Sequence, residues 1–337
     1  MKKQFTIPMP ARYLTNTALL VLFLVVGQLV MGSLSGGNRN TIIQVGFFII
    51  LAVSLNLSTG YLGQLPLGHA GFMAVGAYTG ALFWRSGMLP GYASVAAGLF
   101  LAGVVAAIFG VIIGLPALRL RGDYLAIITL GFGEIIRVLI NNMPEITNGA
   151  MGLQLFQHRY ATFLVVYICV IITCVTIHMM MKSRHGRAIL SIRENEIAAE
   201  SCGLNTTYYK VLAFAMSAFF AGVAGALFAA NVGFLTPGEF DFMMSINILM
   251  IVVLGGMGSM AGSIIAAAVL TTLPVVMQFM AQWRMVIFAL LLIVVMIFRP
   301  SGLLGTYDFS LSRILERFIR WITAGKTQKG GDSSGKA

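Results

Sequence analysis

Long apolar runs alternate along the chain with short segments that contain glycine, proline or charged residues. Most runs are close to the roughly 20 residues that an α-helix needs to cross the apolar core of a bilayer. They fall at residues 13–31, 41–57, 68–84, 93–117, 124–140, 161–181, 210–230, 241–256, 261–280 and 284–298. The pattern predicts an all-α integral membrane protein, a polytopic bundle of about ten transmembrane helices.

Three of these runs, at 68–84, 241–256 and 284–298, are short for a complete crossing. A span needs a minimum of roughly 17 residues unless the helix is tilted, broken or re-entrant. Gly256 and Gly258 lie between two runs, where bending or breaking a helix is a better interpretation than a dinucleotide site. We therefore expect some short or broken helices and a count of about eight to ten.

Small residues recur at four-residue spacing within several runs. Gly76 and Gly80 form one such pair, and Gly110 and Gly114 form another. Glycines at this spacing allow the backbones of neighbouring membrane helices to approach closely. The pattern predicts a tightly packed bundle but says little about what the protein does.

Positive charge is uneven between alternate connecting segments. Most of the 22 Lys and Arg residues lie in segments that share one side of the membrane if the N-terminus is cytoplasmic. Cytoplasmic loops are enriched in Lys and Arg. We therefore expect both termini in the cytoplasm and an even number of helices, and this topology explains the net charge of +11 without a surface for nucleic acid.

Composition excludes several other classes of protein. Hydrophobic residues make up 58% of the chain and charged residues only 10%, against roughly 25% charged in soluble domains. The 3 cysteines form no metal or disulfide pattern. Gly325 to Thr327 imitate the end of a P-loop, but Arg320 occupies the position of its first glycine. We expect no catalytic residue, metal, cofactor or nucleotide site in this chain.

The C-terminal region differs from the apolar runs. Residues 306–325 carry apolar side chains at helical spacing with arginines between them, which predicts an amphipathic helix on the surface of the membrane lipid, or a docking helix for a partner. Residues 326–337 are rich in Gly, Ser and Lys and are expected to be disordered. Residues 1–305 form the predicted transmembrane domain.

A polar segment at residues 182–209 interrupts the bundle on the predicted cytoplasmic side. Between Gly186 and Gly203 it predicts one or two short helices, with Arg193 and Glu196 as i, i+3 neighbours and Gly203 as a C-terminal stop. Such a segment is either a contact through which a cytosolic motor protein moves the membrane helices or a solvated linker.

Few polar groups lie within the apolar runs. Glu134 and Arg137 are spaced for an ion pair within one helix, with either a structural or inter-subunit role or a direct role in a pathway. His69 stands beside Gly68 and Gly71, and is either a buried, hydrogen-bonded histidine or a ligand or proton relay.

Two long motifs resemble one family. Residues 54–78 read SLNLSTGYLGQLPLGHAGFMAVGAY, and residues 119–137 read RLRGDYLAIITLGFGEIIR. Both are similar to the permease subunits of bacterial branched-chain amino acid ABC importers of the LivM type, and the resemblance continues over residues 40–305. Ala198, Ala199 and Gly203 also resemble the EAA-type loop of importer permeases, so residues 182–209 are termed the coupling segment.

The resemblance implies a multi-pass subunit of the bacterial inner membrane that acts with a second homologous permease, two cytosolic ATP-binding subunits and a periplasmic substrate-binding protein. ATP-driven closure of those subunits would push on residues 186–203. The implied coupling candidates are Gly186, Arg193, Glu196, Ala198, Ala199 and Gly203. The implied pathway candidates are Asn56, Gln64, His69, Tyr78, Glu134 and Arg137.

The substrate is left open by this resemblance. Branched-chain or other hydrophobic amino acids are the leading expectation, and a permease for urea or short amides is an alternative because related permeases share the pattern. Pro66 and residues 148–151 depart from the usual family sequence, which affects the substrate more than the fold. An ion-coupled secondary transporter is the other alternative, with Glu134 as its coupling carboxylate.

Overall fold

The computed structural model describes residues 9–120, 122–155 and 161–277, with isolated positions 286, 290, 293, 297 and 302. Side chains are described from residue 21 onward. The predicted helix at 284–298 lies outside the described residues apart from those isolated positions, and the predicted amphipathic helix at 306–325 and tail at 326–337 lie wholly outside them. The chain divides into two compact units; the described residues of the first are 9–33, and those of the second begin at residue 34.

The first unit contains helix α1, Met9–Ser33. Its apolar part, Val21–Ser33, is one of the shorter apolar helical stretches. The helix confirms the run predicted at 13–31 and extends it at both ends.

The described part of the second unit is helical except for short connections and one pair of two-residue strands. Its long helices are α2 (Gly36–Asn56), α3 (His69–Ser86), α4 (Gly91–Ala117), α5 (Asp123–Asn141), α7 (Phe163–Lys182), α10 (Thr206–Val232), α11 (Phe242–Gly255) and α12 (Met260–Val276). The short helices are α6 (Pro144–Thr147), α8 (Arg184–Glu194) and α9 (Glu196–Ser201). These elements agree with an all-α membrane protein.

Four helical stretches in the described residues are long and apolar enough to cross a membrane. They are Gly36–Tyr61, Gly91–Ala117, Phe163–Lys182 and Thr206–Val232. Helices α11 and α12 are apolar but shorter. The short run at 241–256 predicts this for α11, whereas the run at 261–280 is longer than α12, which is described only up to residue 277. Helix α5 carries the charged residues Asp123, Glu134 and Arg137.

Helix α2 does not end as an ordinary α-helix. It continues into a π-helical turn, Leu57–Tyr61, and Gly63 follows with a φ of +76°. Irregular backbone follows until α3 begins at His69. This interruption explains why the third apolar run is too short for a complete crossing.

The centre of the bundle is built by α3, α4 and α10, which pack at very short distances. Gly76 faces the backbone of Gly222, and Gly110 faces Ala218, with no room for a Cβ at either glycine. Gly225 in turn faces the backbone of Met73. The predicted close approach at the small-residue pairs is confirmed for these positions.

Short connections join the helices at both ends of the described bundle. At one end, β1 (Leu153–Gln154) pairs antiparallel with β2 (Phe234–Leu235), which ties the segment after α5 to the end of α10. At the other end, α8 and α9 join α7 to α10, and the turn between α11 and α12 passes through Gly256 and Gly258 with φ of +107° and +87°. The predicted break at these glycines is confirmed.

Candidate functional site

The broken end of α2 is cross-linked to the turn between α11 and α12 by one buried amide. Asn56 Nδ2 donates to Ser259 O at 3.1 Å and to Ser263 Oγ at 3.0 Å. The Gly258 N–H donates to Asn56 Oδ1 at 2.8 Å. Asn56 is fully buried, so these bonds satisfy polar groups that would otherwise be costly in an apolar interior.

Arg193 reaches the same place from the coupling segment. Its Nη1 donates to Gly60 O at 2.8 Å, within the π-helical turn of α2. A Cβ added to Gly60 would collide with Asn56 Oδ1 and with the Gly258 backbone. We call Asn56, Gly60, Arg193, Gly258 and Ser263 the α2 junction, because three separate parts of the chain meet there.

Side chains cap the N-terminal ends of α8, α9 and α10. These caps stabilise helices in a segment that is otherwise polar. Ser183 Oγ accepts from Gly186 N at 3.4 Å, Asn195 Oδ1 accepts from Ala198 N at 3.1 Å, and Asn205 Oδ1 accepts from Tyr208 N at 3.1 Å. Such caps satisfy N–H groups that have no partner within the helix. The sequence predicts one or two short helices here, and the structure has two, α8 and α9.

The end of α9 also agrees with the sequence prediction. Gly203 has a φ of +82° just after the helix, and its N–H donates to Glu200 O at 2.8 Å. A left-handed conformation at this position favours glycine. Gly203 is therefore the helix stop that the sequence predicts.

An ion pair ties α9 to α10. Lys210 Nζ lies 2.7 Å from Glu196 Oε1, and the two side chains are 5% and 23% exposed. Thr206 Oγ1 donates to Glu200 Oε1 at 2.6 Å nearby. Glu196 pairs with Lys210, whereas Arg193 donates to Gly60 O, and Asn195 stands between them as the cap of α9.

The coupling candidates differ in exposure. Gly186 and Ala199 are buried, and Gly186 has no room for a Cβ because it abuts the Met181 backbone. Ala198 and Gly203 are exposed, as is the neighbouring Ile197 at 66%. The segment thus has a face that packs on the bundle and a face that is open.

His69 begins α3 and is held by α2. His69 Nε2 and Ser54 Oγ are 3.0 Å apart, and the ring is 1% exposed. Ser217 Oγ of α10 donates to Ser54 O at 2.7 Å, and Ser245 Oγ of α11 accepts from Ala70 N at 3.0 Å. His69 is thus buried and hydrogen-bonded, as one of the two sequence interpretations expects. The start of α3 is bonded to α2 and α11, and α10 holds the α2 backbone behind it.

Three buried polar atoms have no hydrogen-bond partner among the described residues near these elements. They are Ser58 Oγ, Gln64 Oε1 and Tyr78 Oη. Gln64 lies beside the α2 junction, because its N–H donates to Ser58 O at 3.0 Å. Tyr78 lies farther along α3 and packs on Phe240 with ring centroids 6.1 Å apart. The structure thus brings Gln64 to the junction and leaves Tyr78 away from it.

Glu134 and Arg137 form the ion pair that their spacing predicts. Arg137 Nε donates to Glu134 Oε2 at 2.7 Å, and each side chain is 33% exposed. Glu134 also borders a small crevice whose wall includes Ala70 and Gly71 of α3 and Asp241 at the start of α11. The pair therefore lies near the start of α3, on a side of α5 that remains open.

A larger cleft of about 330 Å³ lies between α2, α11 and α12. Its polar lining includes Gln44, Asn247 and Thr271. None of the predicted pathway residues lines it.

Several residues at these sites were missed by sequence reasoning. Ser54, Gly60 and Lys210 were not singled out, although the polar cluster Ser54, Asn56, Ser58 and Thr59 within an apolar run is a detectable signal. The partners of Asn56 lie 202 and 207 residues away along the chain, and only the fold reveals them.

Comparison with known proteins identifies the family. Residues 38–298 match the family described as branched-chain amino acid transport system / permease component. The chain belongs to this family. No solved structure matches it.

Curated relatives agree with the family match. The high-affinity branched-chain amino acid transport system permease protein LivM of Salmonella typhimurium is 40% identical over 298 residues, which cover 76% of this chain and 67% of the relative. LivM of Escherichia coli is 39% identical over the same shares. The permease protein LivH of Escherichia coli is 25% identical over 281 residues, 77% of this chain and 91% of LivH.

Proposed function

We propose that this chain is a permease subunit of an ATP-driven importer that carries branched-chain or other hydrophobic amino acids across the inner membrane of a bacterium. The match over residues 38–298 carries the proposal. LivM and LivH of Escherichia coli are both named as permeases of a branched-chain amino acid transport system. Their similarity to this chain supports a pair of homologous permeases, of which this chain supplies one.

ATP hydrolysis is assigned to partner subunits in this proposal. The exposed face of the coupling segment offers the surface for them, with Ile197 at 66% exposure and the small residue Ala198 beside it. Ala198 also belongs to the part of the segment that resembles the EAA-type loop, and this resemblance supports a contact with the ATP-binding subunits at this face. Gly186 and Ala199 serve the opposite face, where a larger side chain would separate the segment from the bundle.

The proposed topology has about ten helices and both termini in the cytoplasm. The end of the bundle that carries α8 and α9 then faces the cytosolic ATP-binding subunits, and the paired strands β1 and β2 face a periplasmic substrate-binding protein. The buried polar groups at Asn56 and Gln64 lie toward the cytoplasmic half of this arrangement. His69 lies nearer its middle, because the adjacent Ala70 N–H donates to Ser245 near the start of α11. Tyr78 and the Glu134–Arg137 pair remain candidates for contact with the substrate or the second permease.

A substitution at Ile197 tests directly whether the ATP-binding subunits bind the exposed face of the coupling segment. Replacing Ile197 with Asp places a charge in the proposed apolar contact, so the ATP-binding subunits should no longer co-purify with the permease pair. The matched control Met88→Asp changes an exposed apolar residue in the connection between α3 and α4, at 75% exposure, outside the apolar runs and away from the coupling segment. Retention of the subunits by Ile197→Asp would contradict the proposed docking face.

The function itself is tested by ATP hydrolysis of the complete complex. Hydrolysis should rise when the substrate-binding protein is added with leucine, isoleucine or valine, and should not rise with urea or acetamide. Stimulation by urea alone would favour the short-amide alternative. A secondary transporter has less support because Glu134, its required carboxylate, is already paired with Arg137 at 2.7 Å.

A further inference from the structure

Arg193 reaches from the coupling segment to the bundle, although its side chain is still 36% exposed and its Nε lies 4.0 Å from Glu194 Oε1. Its guanidinium donates to Gly60 O at 2.8 Å. Its aliphatic part passes Gly63, where an added Cβ would lie 3.0 Å from Arg193 Cγ. An added Cβ on Gly258 would lie 3.4 Å from Arg193 Nη1. The side chain therefore lies between the end of α2 and the turn that precedes α12.

The Gly60 carbonyl is available because α2 ends there. In an α-helix this oxygen would accept from the N–H four residues later. That N–H belongs to Gln64, which instead donates to Ser58 O at 3.0 Å. A charged donor from another element thus satisfies the carbonyl, and charge-assisted hydrogen bonds are stronger than neutral ones.

The rest of the coupling segment is anchored so that its movement would reach Arg193. Helix α8 buries Ala188, Ile189 and Ile192 against the bundle. Helix α9 is held to α10 by the Lys210–Glu196 pair. Arg193 stands in the last turn of α8, and one turn before Gly60 the amide of Asn56 continues the contact to Gly258 and Ser263.

We infer that Arg193 is a positioning residue that transmits movement of the coupling segment to the end of α2 and, through Asn56, to the turn between α11 and α12. The inference rests on the proposed importer function. It separates two tasks within one segment, since Ile197 and its exposed neighbours bind the ATP-binding subunits and Arg193 conveys their movement. Its direct consequence is that docking and transport can be lost independently.

The first test replaces the charged guanidinium group of Arg193 with a neutral amide in the complete reconstituted complex. Arg193→Gln should retain the ATP-binding subunits on co-purification, and substrate moved per ATP hydrolysed should fall at least tenfold. Arg193→Lys, which can still donate to Gly60 O, should recover part of that ratio. Arg85→Gln, an exposed arginine at the end of α3, is the matched control and should keep the ratio of the unmodified complex.

Two outcomes of this test would overturn the inference. Loss of the ATP-binding subunits from Arg193→Gln would make Arg193 a docking residue. An unchanged ratio of substrate to ATP would mean that movement reaches α2 by another route.

A second test replaces the hydrogen bond with a covalent link. An added Cβ on Gly63 would lie 3.7 Å from Arg193 Cβ, within the roughly 3.5–4.5 Å typical of disulfides. The Gly63→Cys, Arg193→Cys protein is made with Cys169, Cys174 and Cys202 replaced by alanine. Diamide takes up the two hydrogens of the thiols as the disulfide forms, and a reductant restores them.

The reduced protein should be uncoupled, and the oxidised protein should regain at least threefold more substrate per ATP. Each single cysteine variant controls for the substitutions, and should not respond to diamide. Equal ratios in the two redox states would overturn the inference alone if the unmodified complex transports with ATP. An unmodified complex that moves no substrate with ATP would instead overturn the proposed function, and the inference with it.

Discussion

The two side chains of the ion pair between α9 and α10 differ in burial, so removing one should destabilise the protein more than removing the other. Lys210 is 5% exposed in its side chain, whereas Glu196 is 23% exposed. Glu196→Ala leaves a buried ammonium group without its carboxylate. Lys210→Met leaves a carboxylate that can turn toward water, and methionine fills the space of the lysine stem.

The expected loss of stability for each substitution follows from how deeply the remaining charged group is buried. Removing one partner of a buried pair typically destabilises by 3–5 kcal/mol, and we expect about 3 kcal/mol for Glu196→Ala, at the lower end of that range. For Lys210→Met we expect about 1 kcal/mol, because an exposed carboxylate remains hydrated. These values correspond to roughly 150-fold and roughly fivefold more frequent opening of α9.

Thiol labelling measures this opening locally. Ala199, which is 5% exposed within α9, is replaced with cysteine in a chain without the native cysteines. The rate of maleimide labelling then reports how often α9 detaches, provided that opening and closing are fast. A Lys210→Met rate equal to or above that of Glu196→Ala would refute the argument from burial.

Two further predictions concern packing and pH. Gly76→Ala should destabilise by about 2 kcal/mol because the Gly222 backbone leaves no room for a Cβ, whereas Gly131→Ala, with nothing within 4 Å, should not lower stability. Equal melting temperatures in detergent would contradict this. Burial raises the pKa of Glu239 above its ordinary value of 4.5, although a Thr236 backbone hydrogen bond partly opposes the shift. The folded state therefore binds the proton more tightly, so stability falls as pH rises from about 4.5 through the raised pKa. Glu239→Gln should melt at a higher temperature than the unmodified protein at pH 8, and the two should converge at pH 4. A difference that is constant with pH would argue against burial as its cause.

The coupling segment and the glycine break between α11 and α12 were predictable from sequence for local reasons. A polar interval within an apolar chain must leave the bilayer, and glycines tolerate the positive φ that Gly256 and Gly258 adopt. The Glu134–Arg137 pair was predictable because its partners lie on the same helix.

The α2 junction was not predictable in the same way. A π-helical turn differs from an α-helical one by a single residue in its hydrogen-bond spacing, and residues 57–61 carry no pattern that distinguishes the two. Arg193 and Gly60 are separated by 133 residues, so the inward direction of the guanidinium depends on tertiary packing. Local spacing suggested Glu196 as its neighbour, but Asn195 starts a new helix between them.

The central claim is tested most directly by uptake into vesicles that contain this chain, a second permease and the ATP-binding subunits. Labelled leucine and the substrate-binding protein are supplied outside, and ATP is supplied to the cytoplasmic face. The account predicts that leucine accumulates with ATP and does not accumulate with a non-hydrolysable ATP analogue. Equal accumulation with the analogue, or without ATP-binding subunits, would contradict it.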